Sequence, residues 1–265
     1  MASSSSLQSK REKPLGDGTV KYKQPFIVFS DFDGTITLQD SNDYLTDNIG
    51  FGKERRVHLN QEVLHDRMSF RDSFDEMLKS VTTPFPECVQ LLLDNISLDP
   101  GFATFYAWCL SKDIPVVVLS SGMQPIIRAL LTKLIGPTAD KIDIISNDVD
   151  IHEDGSWDIV FHDESHFGHD KSLAIKPYKA LSPRPTMVYC GDGVSDLSAA
   201  RETDLLFAKS GRDLVSYCIK EGMPFSVFDD FQAIHETVER LHSKKVSLEE
   251  VAAENLKNNQ KLASS

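Results

Sequence analysis

The chain has 265 residues, 40% hydrophobic and 26% charged, with a formal net charge of −12 and a pI near 5.1. That length holds one sizeable core plus a smaller accessory unit, and the acidity argues against a nucleic-acid partner while leaving room for a small anionic substrate beside a local cation. No apolar run approaches the roughly 20 residues of a membrane span, and Cys88, Cys109, Cys190 and Cys218, scattered without paired spacing, read as reduced packing residues of a cytoplasmic protein.

Residues 1–24 are Ser-rich, without an apolar core or amphipathic face, and read as a disordered tail. PFIVFS then predicts a strand over 26–30, followed at once by two carboxylates, Asp31 and Asp33. A buried strand ending in unpaired negative charge is costly, so the pair needs a partner or a use. Residues 40–98 hold no convincing strand: DSNDYLTDNIG, EVLHDRMSFRDSFDEMLKSV and PECVQLLLDNI are helical in pattern. One crossover helix would have sufficed there, so an all-helical insertion, placed to act as a lid, is expected.

Further strands are expected over 115–119, 142–146, 186–190, 205–208 and 225–228. Helical stretches separate them: GFATFYAWCLSK, QPIIRALLTKLIG with Pro125 near its start and Gly136 at its end, and SDLSAARETD. Short continuous apolar strands alternating with helices predict a parallel sheet in a layered α/β fold. The stretch NDVDIHEDGSWDIVF breaks the alternation and predicts a β-hairpin turning at Asp154-Gly155. Residues 244–265 are expected as a polar tail, a solvated helix fraying over its last ten or so residues. The division is a core of 25–39 and 99–243, with a helical unit of 40–98 inserted after the first strand.

Polar residues cluster just past the strands. Asp31 and Asp33 follow the first, Ser120, Ser121 and Gly122 the second, and Asp192 and Asp196, in YCGDGVSD, the fourth. In an open α/β sheet the ligand crevice lies outside the carboxyl ends of the strands. Three separate segments therefore deliver acidic and hydroxyl groups to one edge. Four converging carboxylates repel, and a hard divalent cation with oxygen ligands, Mg²⁺, relieves that. Mg²⁺, a carboxylate and a basic residue together suit phosphoryl transfer. Lys171, in FGHDKSLAIK, is the basic candidate and Lys176 its competitor. Taken singly, Asp33-Gly34 and Gly191-Asp192-Gly193 read as plain turns and Ser121 as a helix cap, but that leaves the convergence unexplained. His162 and His166 have the spacing of a helical zinc pair. Gly168 and the weak apolar pattern around it favour instead a polar loop, carrying His162, His166 and His169, that borders the site.

DFDGT, VVVLSSG, Lys171 and GDGVSD, in this order, resemble the four motifs of haloacid-dehalogenase-superfamily phosphatases over about residues 25–240. The resemblance implies a Rossmannoid parallel-sheet core with a helical cap, Mg²⁺, and an aspartyl-phosphate intermediate. It implies Asp31 as nucleophile and metal ligand. Asp33 is then general acid and afterwards general base, with its carbonyl on the metal. Ser121 and the Gly122 N–H bind the phosphoryl oxygens, with Ser120 as rival. Lys171 neutralises charge, Asp192 is the second carboxylate ligand, and Asp196 orients Lys171 or a metal-bound water. The insertion is similar to the cap of phosphoserine phosphatases and their relatives, which implies a small phosphomonoester. Asp40 matches the acidic residue of that branch, but the arginine that clamps the substrate carboxylate falls at Met77, with Arg71 two helical turns away. DFDGTIT and the GDGxxD pattern are similar to methionine-salvage phosphatases and to fungal relatives that act on phosphorylated sugar alcohols. A sugar or polyol phosphate is therefore expected, with Asp40 and Asn42 on its hydroxyls. A phosphomutase and a non-catalytic binding protein are the competing readings, and the presence of both Asp31 and Asp33 speaks against the second. A monomer or homodimer is expected.

Overall fold

The FIVFS run forms β1 (Phe26–Ser30), and its alternating side chains point into two different cores. The computed structural model describes residues 25–264, so the tail expected over 1–24 lies outside the described residues. β1 is flanked by β2 (Val116–Met123) and β5 (Thr186–Gly191), both parallel to it. With β3 (Asp143–Ile151), β4 (Trp157–Val160), β6 (Leu205–Lys209) and β7 (Ser226–Phe228) the sheet has seven strands, ordered β4-β3-β2-β1-β5-β6-β7. Only the β3–β4 pair is antiparallel; it is the hairpin expected at Asp154-Gly155.

The period of two along the strands builds a layer on each face. Val28, Val118, Val188 and Phe207 pack against α5 (Phe102–Ser111), α6 (Gln124–Ile135) and α10 (Phe231–His242). Ile27, Phe29, Leu119 and Tyr189 pack against α7 (Lys171–Lys179), α8 (Leu197–Ala200) and α9 (Asp213–Glu221). All four cysteines are free and buried in these layers, and burial pushes their thiols up, away from reactivity. No helix among the described residues is long and apolar enough to cross a membrane.

The inserted segment forms α1 (Ser41–Ile49), α2 (Lys53–Leu64), α3 (Phe70–Lys79) and α4 (Phe85–Asn95). Its two ends leave the core side by side. Thr37 bridges Leu98, Leu38 N–H donates to the Ser97 carbonyl and Asp99 N–H to that of Ile36, each at 2.9 Å. The inner face (Leu45, Leu59, Phe74, Met77, Cys88, Leu92) is continuous with the first apolar layer. The hairpin reaches across to it: Phe85 N–H donates to the Gly155 carbonyl and Trp157 Nε1–H to that of Thr83, both at 3.1 Å.

Two elements differ from expectation. β2 runs on to Met123, so the SSG segment continues the strand past a register shift instead of following it. The C-terminal stretch is not a fraying tail: α11 (Leu248–Ser264) lies on the β7 edge. Val251, Asn255 and Asn259, four apart and hence on one face, are buried. Asn259 Oδ1 accepts the Phe225 N–H and its Nδ2 donates to the Phe225 carbonyl, each at 3.0 Å, and Asn255 Oδ1 accepts from Ser226 Oγ at 2.9 Å. Amides dock this helix, so its hydrophobic pattern is faint. Asn259→Leu leaves both Phe225 groups unpaired and is expected to cost about 1–3 kcal/mol in urea unfolding. An unchanged midpoint would mean that α11 does not hold the edge.

Candidate active site

Asp31 follows β1 directly, and its N–H is held by the Cys190 carbonyl at 2.8 Å. Oδ1 accepts the Phe32 N–H at 2.7 Å and faces Lys171 Nζ at 3.0 Å; Oδ2 receives no hydrogen bond from the described residues. Lys171 opens α7, is 0% exposed, and donates to Asp196 Oδ1 at 2.7 Å. Asp196 is equally buried and all its acceptor capacity is engaged: Tyr189 OH also donates to Oδ1, while Oδ2 takes the N–H groups of Asp192 at 2.9 Å and Gly193 at 3.0 Å. Asp196 thus fixes both Lys171 and the loop that presents Asp192. Lys176, five residues on, is exposed.

Two glycines permit this convergence. Gly34 has φ +72°, and a Cβ there would stand 2.2 Å from Asp192 Oδ2. A Cβ on Gly122 would stand 2.9 Å from Asp33 Oδ2 and 3.2 Å from Ser120 Oγ. The first motif therefore folds directly onto the fourth and the second.

Ligand oxygens of Asp31, Asp192 and Asp196 lie within 4.8 Å of one another. Three carboxylates face one lysine, and Arg212 Nε approaches Asp192 only to 3.9 Å from a half-exposed position. Burial first, then the Asp196 charge, pushes Asp31 up to about 7; burial, then the Asp31 charge, pushes Asp192 up to about 8. An oxygen-only donor set with surplus buried negative charge fits a hard divalent cation. The Asp31 and Asp192 carboxylates would hold it, whereas the oxygens of Asp196 are taken.

The sign of these shifts gives a pH prediction. Without a cation the folded chain holds protons on Asp31 and Asp192 well above the ordinary 3.8, so stability falls as pH rises from about 4 to about 8. Lys171 is also pushed up, which favours the fold, and that contribution is lost only well above its ordinary 10.5. In EDTA the thermal midpoint is therefore expected to drop between about pH 5 and pH 8, with millimolar Mg²⁺ restoring most of the loss at the higher pH and little at the lower. An equal Mg²⁺ effect at both would contradict this charge account.

Asp33 is 8% exposed, its Oδ1 accepting the Ser41 N–H at 2.8 Å and its Oδ2 the Asn42 amide at 3.0 Å. Burial, then the neighbouring Asp40 charge, push it well above the usual carboxylate range, the direction that suits a proton donor. Ser120 Oγ accepts the Gly122 N–H at 3.0 Å, so that N–H is engaged within the loop and Gly122 contributes chiefly its missing side chain. Ser121 Oγ is buried without a partner among the described residues and is the available hydroxyl. Asp40 caps α1, its Oδ1 accepting from Asn42 and Asp43 N–H at 2.8 and 2.9 Å. Asn42 lies against Asp33, with its Oδ1 buried and unpartnered.

The sequence gives no sign of Asn147, and it does not show what His169 and Arg71 bind. Asn147 donates to the Ser121 carbonyl at 2.7 Å and accepts the His162 N–H at 2.8 Å. His169, 1% exposed and pushed down to about 4 by burial, is neutral and hydrogen-bonds the Ser120 carbonyl through Nδ1 at 2.8 Å. The His162 ring packs against it, tilted by 60° with centroids 4.5 Å apart, while His162 and His166 themselves are exposed. Arg71 is turned to this loop: Nη1 donates to the Asp163 carbonyl at 2.6 Å, its N–H to that of His166 at 2.9 Å, and the guanidinium lies 4.4 Å over Phe161. Met77 is buried in the apolar layer.

A family profile described as haloacid dehalogenase-like hydrolase matches residues 28–201. Pdp3-interacting factor 1 of Schizosaccharomyces pombe is 58% identical over 222 residues, covering 83% of this chain and 97% of the relative. Polyol phosphate phosphatase PYP1 of Saccharomyces cerevisiae is 55% identical over 217 residues, covering 78% and 90%. A solved structure of a substrate-bound phosphoserine phosphatase shares the fold, with a TM-score of 0.64 at 16% identity over 82% of this chain and 99% of that one. Fold, motif geometry and these similarities agree: the chain belongs to the haloacid dehalogenase-like hydrolases.

Proposed function

We propose that the protein is a Mg²⁺-dependent phosphomonoesterase that hydrolyses a small polyol or sugar phosphate through an aspartyl-phosphate on Asp31. The observation that carries this reading is the juxtaposition of two carboxylates with different partners. Asp31 is oriented through one oxygen by buried Lys171 and the Phe32 N–H, with its other oxygen free. Asp33 stands beside Gly122 with its Oδ2 held by the Asn42 amide, and burial pushes it toward the protonated form. Asp31 Oδ2 attacks phosphorus; that P–O bond forms as the bond to the leaving alcohol breaks, and Asp33 protonates the departing oxygen. Asp33 then takes a proton from the water that attacks phosphorus, releasing orthophosphate and regenerating the Asp31 carboxylate. Ser121 Oγ and Lys171 hold the phosphoryl oxygens throughout. Held by Asp31 and Asp192, Mg²⁺ would neutralise charge on the transferring group.

Substrate class follows from what the site has to offer. The relative at 55% identity is a polyol phosphate phosphatase. Arg71 is committed to the 161–168 loop and Arg56 to Asp43 and Asp47, so neither stands ready to clamp a carboxylate. Asn42 Oδ1, buried and unpartnered, and Asp40 are acceptors suited to hydroxyls. Phosphate release from a panel of polyol phosphates, sugar phosphates, phosphoserine and p-nitrophenyl phosphate, with Mg²⁺ and with EDTA, tests the reading. Metal-dependent release with the highest kcat/KM on a polyol or sugar phosphate is expected. Preference for phosphoserine would overturn the substrate class, and no release from any member would overturn the activity.

A further inference from the structure

We infer that Asn42 is a positioning residue for the proton-donating carboxyl of Asp33, so that the acid is aligned by the inserted helices and not by the core that carries it. The inference rests on the phosphatase reading above and deepens it. Asp33 belongs to the first motif, yet both donors to its carboxyl among the described residues come from the first turn of α1: the Ser41 backbone N–H on Oδ1 at 2.8 Å and Asn42 Nδ2 on Oδ2 at 3.0 Å. No core residue among those described donates to it. The rotation of this carboxyl is therefore set where the insertion begins.

Oδ2 is the oxygen on the phosphate side. A Cβ built on Gly122, next to Ser121, would meet Asp33 Oδ2 at 2.9 Å and Asn42 Nδ2 at 3.4 Å, so the amide and the carboxyl oxygen share that corner. A carboxyl oxygen has two lone-pair positions. The amide occupies one on Oδ2, and the proton delivered to the leaving alcohol takes the other. Asn42 is itself held: its N–H is taken by Asp40 Oδ1 at 2.8 Å, its carbonyl accepts from Thr46 Oγ1 at 2.9 Å, and it is 4% exposed. An amide also suits the place electrically. It donates without adding charge between Asp33 and Asp40. Because α1 opens the insertion, any displacement of these helices withdraws both donors, and proton delivery is confined to the seated arrangement.

The test is the dependence on leaving group. A polyol phosphate leaves as a poor, alkoxide-like group that needs the acid, whereas p-nitrophenolate leaves almost unaided. Asn42→Ala is expected to lower kcat on a polyol phosphate by about a hundredfold or more. The loss on p-nitrophenyl phosphate should be at least about tenfold smaller. Asn42→Ser, a residue tolerated in a first helical turn but too short to reach Asp33, should give the same split if the Ala variant folds poorly. Asp33→Asn should show the split too, and the double variant Asn42→Ala/Asp33→Asn should be no worse on the polyol ester than Asp33→Asn alone. Equal losses on both esters would overturn the inference in favour of a structural role. A raised KM on the polyol ester with kcat preserved would overturn it in favour of a plain substrate contact. No wild-type turnover on either ester would overturn the phosphatase reading itself, and the inference with it.

Discussion

Asp31→Asn should lower Mg²⁺-dependent phosphate release at least about a thousandfold while leaving the protein folded. The substitution keeps the side chain's volume, and the Phe32 N–H can still be accepted by an amide oxygen. Among the described residues it removes the one carboxylate beside Lys171 that keeps an oxygen free to attack, because Asp196 is saturated by four donors. It also removes one of three crowded carboxylates. Asp31, pushed up to about 7, is a liability to the metal-free fold above that pH, so the thermal midpoint in EDTA at about pH 8 should hold or rise. Lost activity with retained stability is the signature of a reacting group. Activity within tenfold of wild type would remove Asp31 from the nucleophile's role.

The second large effect concerns stability. Lys171→Met keeps an unbranched side chain of similar length but leaves Asp31 and Asp196 facing each other across a fully buried site. Breaking a buried pair by removing one partner costs about 3–5 kcal/mol, since the remaining charge has neither water nor counter-ion. The loss in urea unfolding should deepen as pH rises, because Asp31, already pushed up to about 7, must then ionise without its lysine or hold its proton against the solvent. Adding Asp196→Asn should return a substantial part of the loss. A single variant within about 1 kcal/mol of wild type would mean that solvent reaches this site and that Lys171 is not its organising cation. Activity should be lost as well, so the double variant separates the two roles: it recovers stability without recovering turnover.

The sequence showed most of the sheet because its strands are short continuous apolar runs, and chain order with parallel pairing sends the carboxyl ends of β1, β2 and β5 to one edge. That is why residues as far apart as Asp31, Gly122 and Asp192 meet. Lys171 and Lys176 were inseparable by composition. Five helical residues put them about 140° apart, and only the packing of α7 on the sheet decides which faces inward. Ser120–Gly122 are expected past the strand because Ser and Gly are weak strand formers, yet β2 continues to Met123, pairing with β3 at Ser120 and Met123 on either side of a register shift. The polar loop that carries His169 is expected at the border of the site, but what fastens it there is not legible. Its hydrogen bonds with Ser120, Asn147 and Arg71 span up to 92 residues, and they carry no period. The docking of α11 was hidden for the opposite reason, since the buried side of the helix is partly made of amides that read as solvent-facing.

The central claim is that phosphorus is transferred to Asp31 before it reaches water. Rapid acid quench during turnover of a polyol phosphate, followed by peptide mass mapping, tests it most directly. A phosphoryl group on the peptide spanning Asp31, absent in Asp31→Asn and converted by borohydride to homoserine at that position, is the predicted result. Full turnover with no acyl-phosphate at Asp31, or with phosphate on Ser121 or His169 instead, would contradict the account.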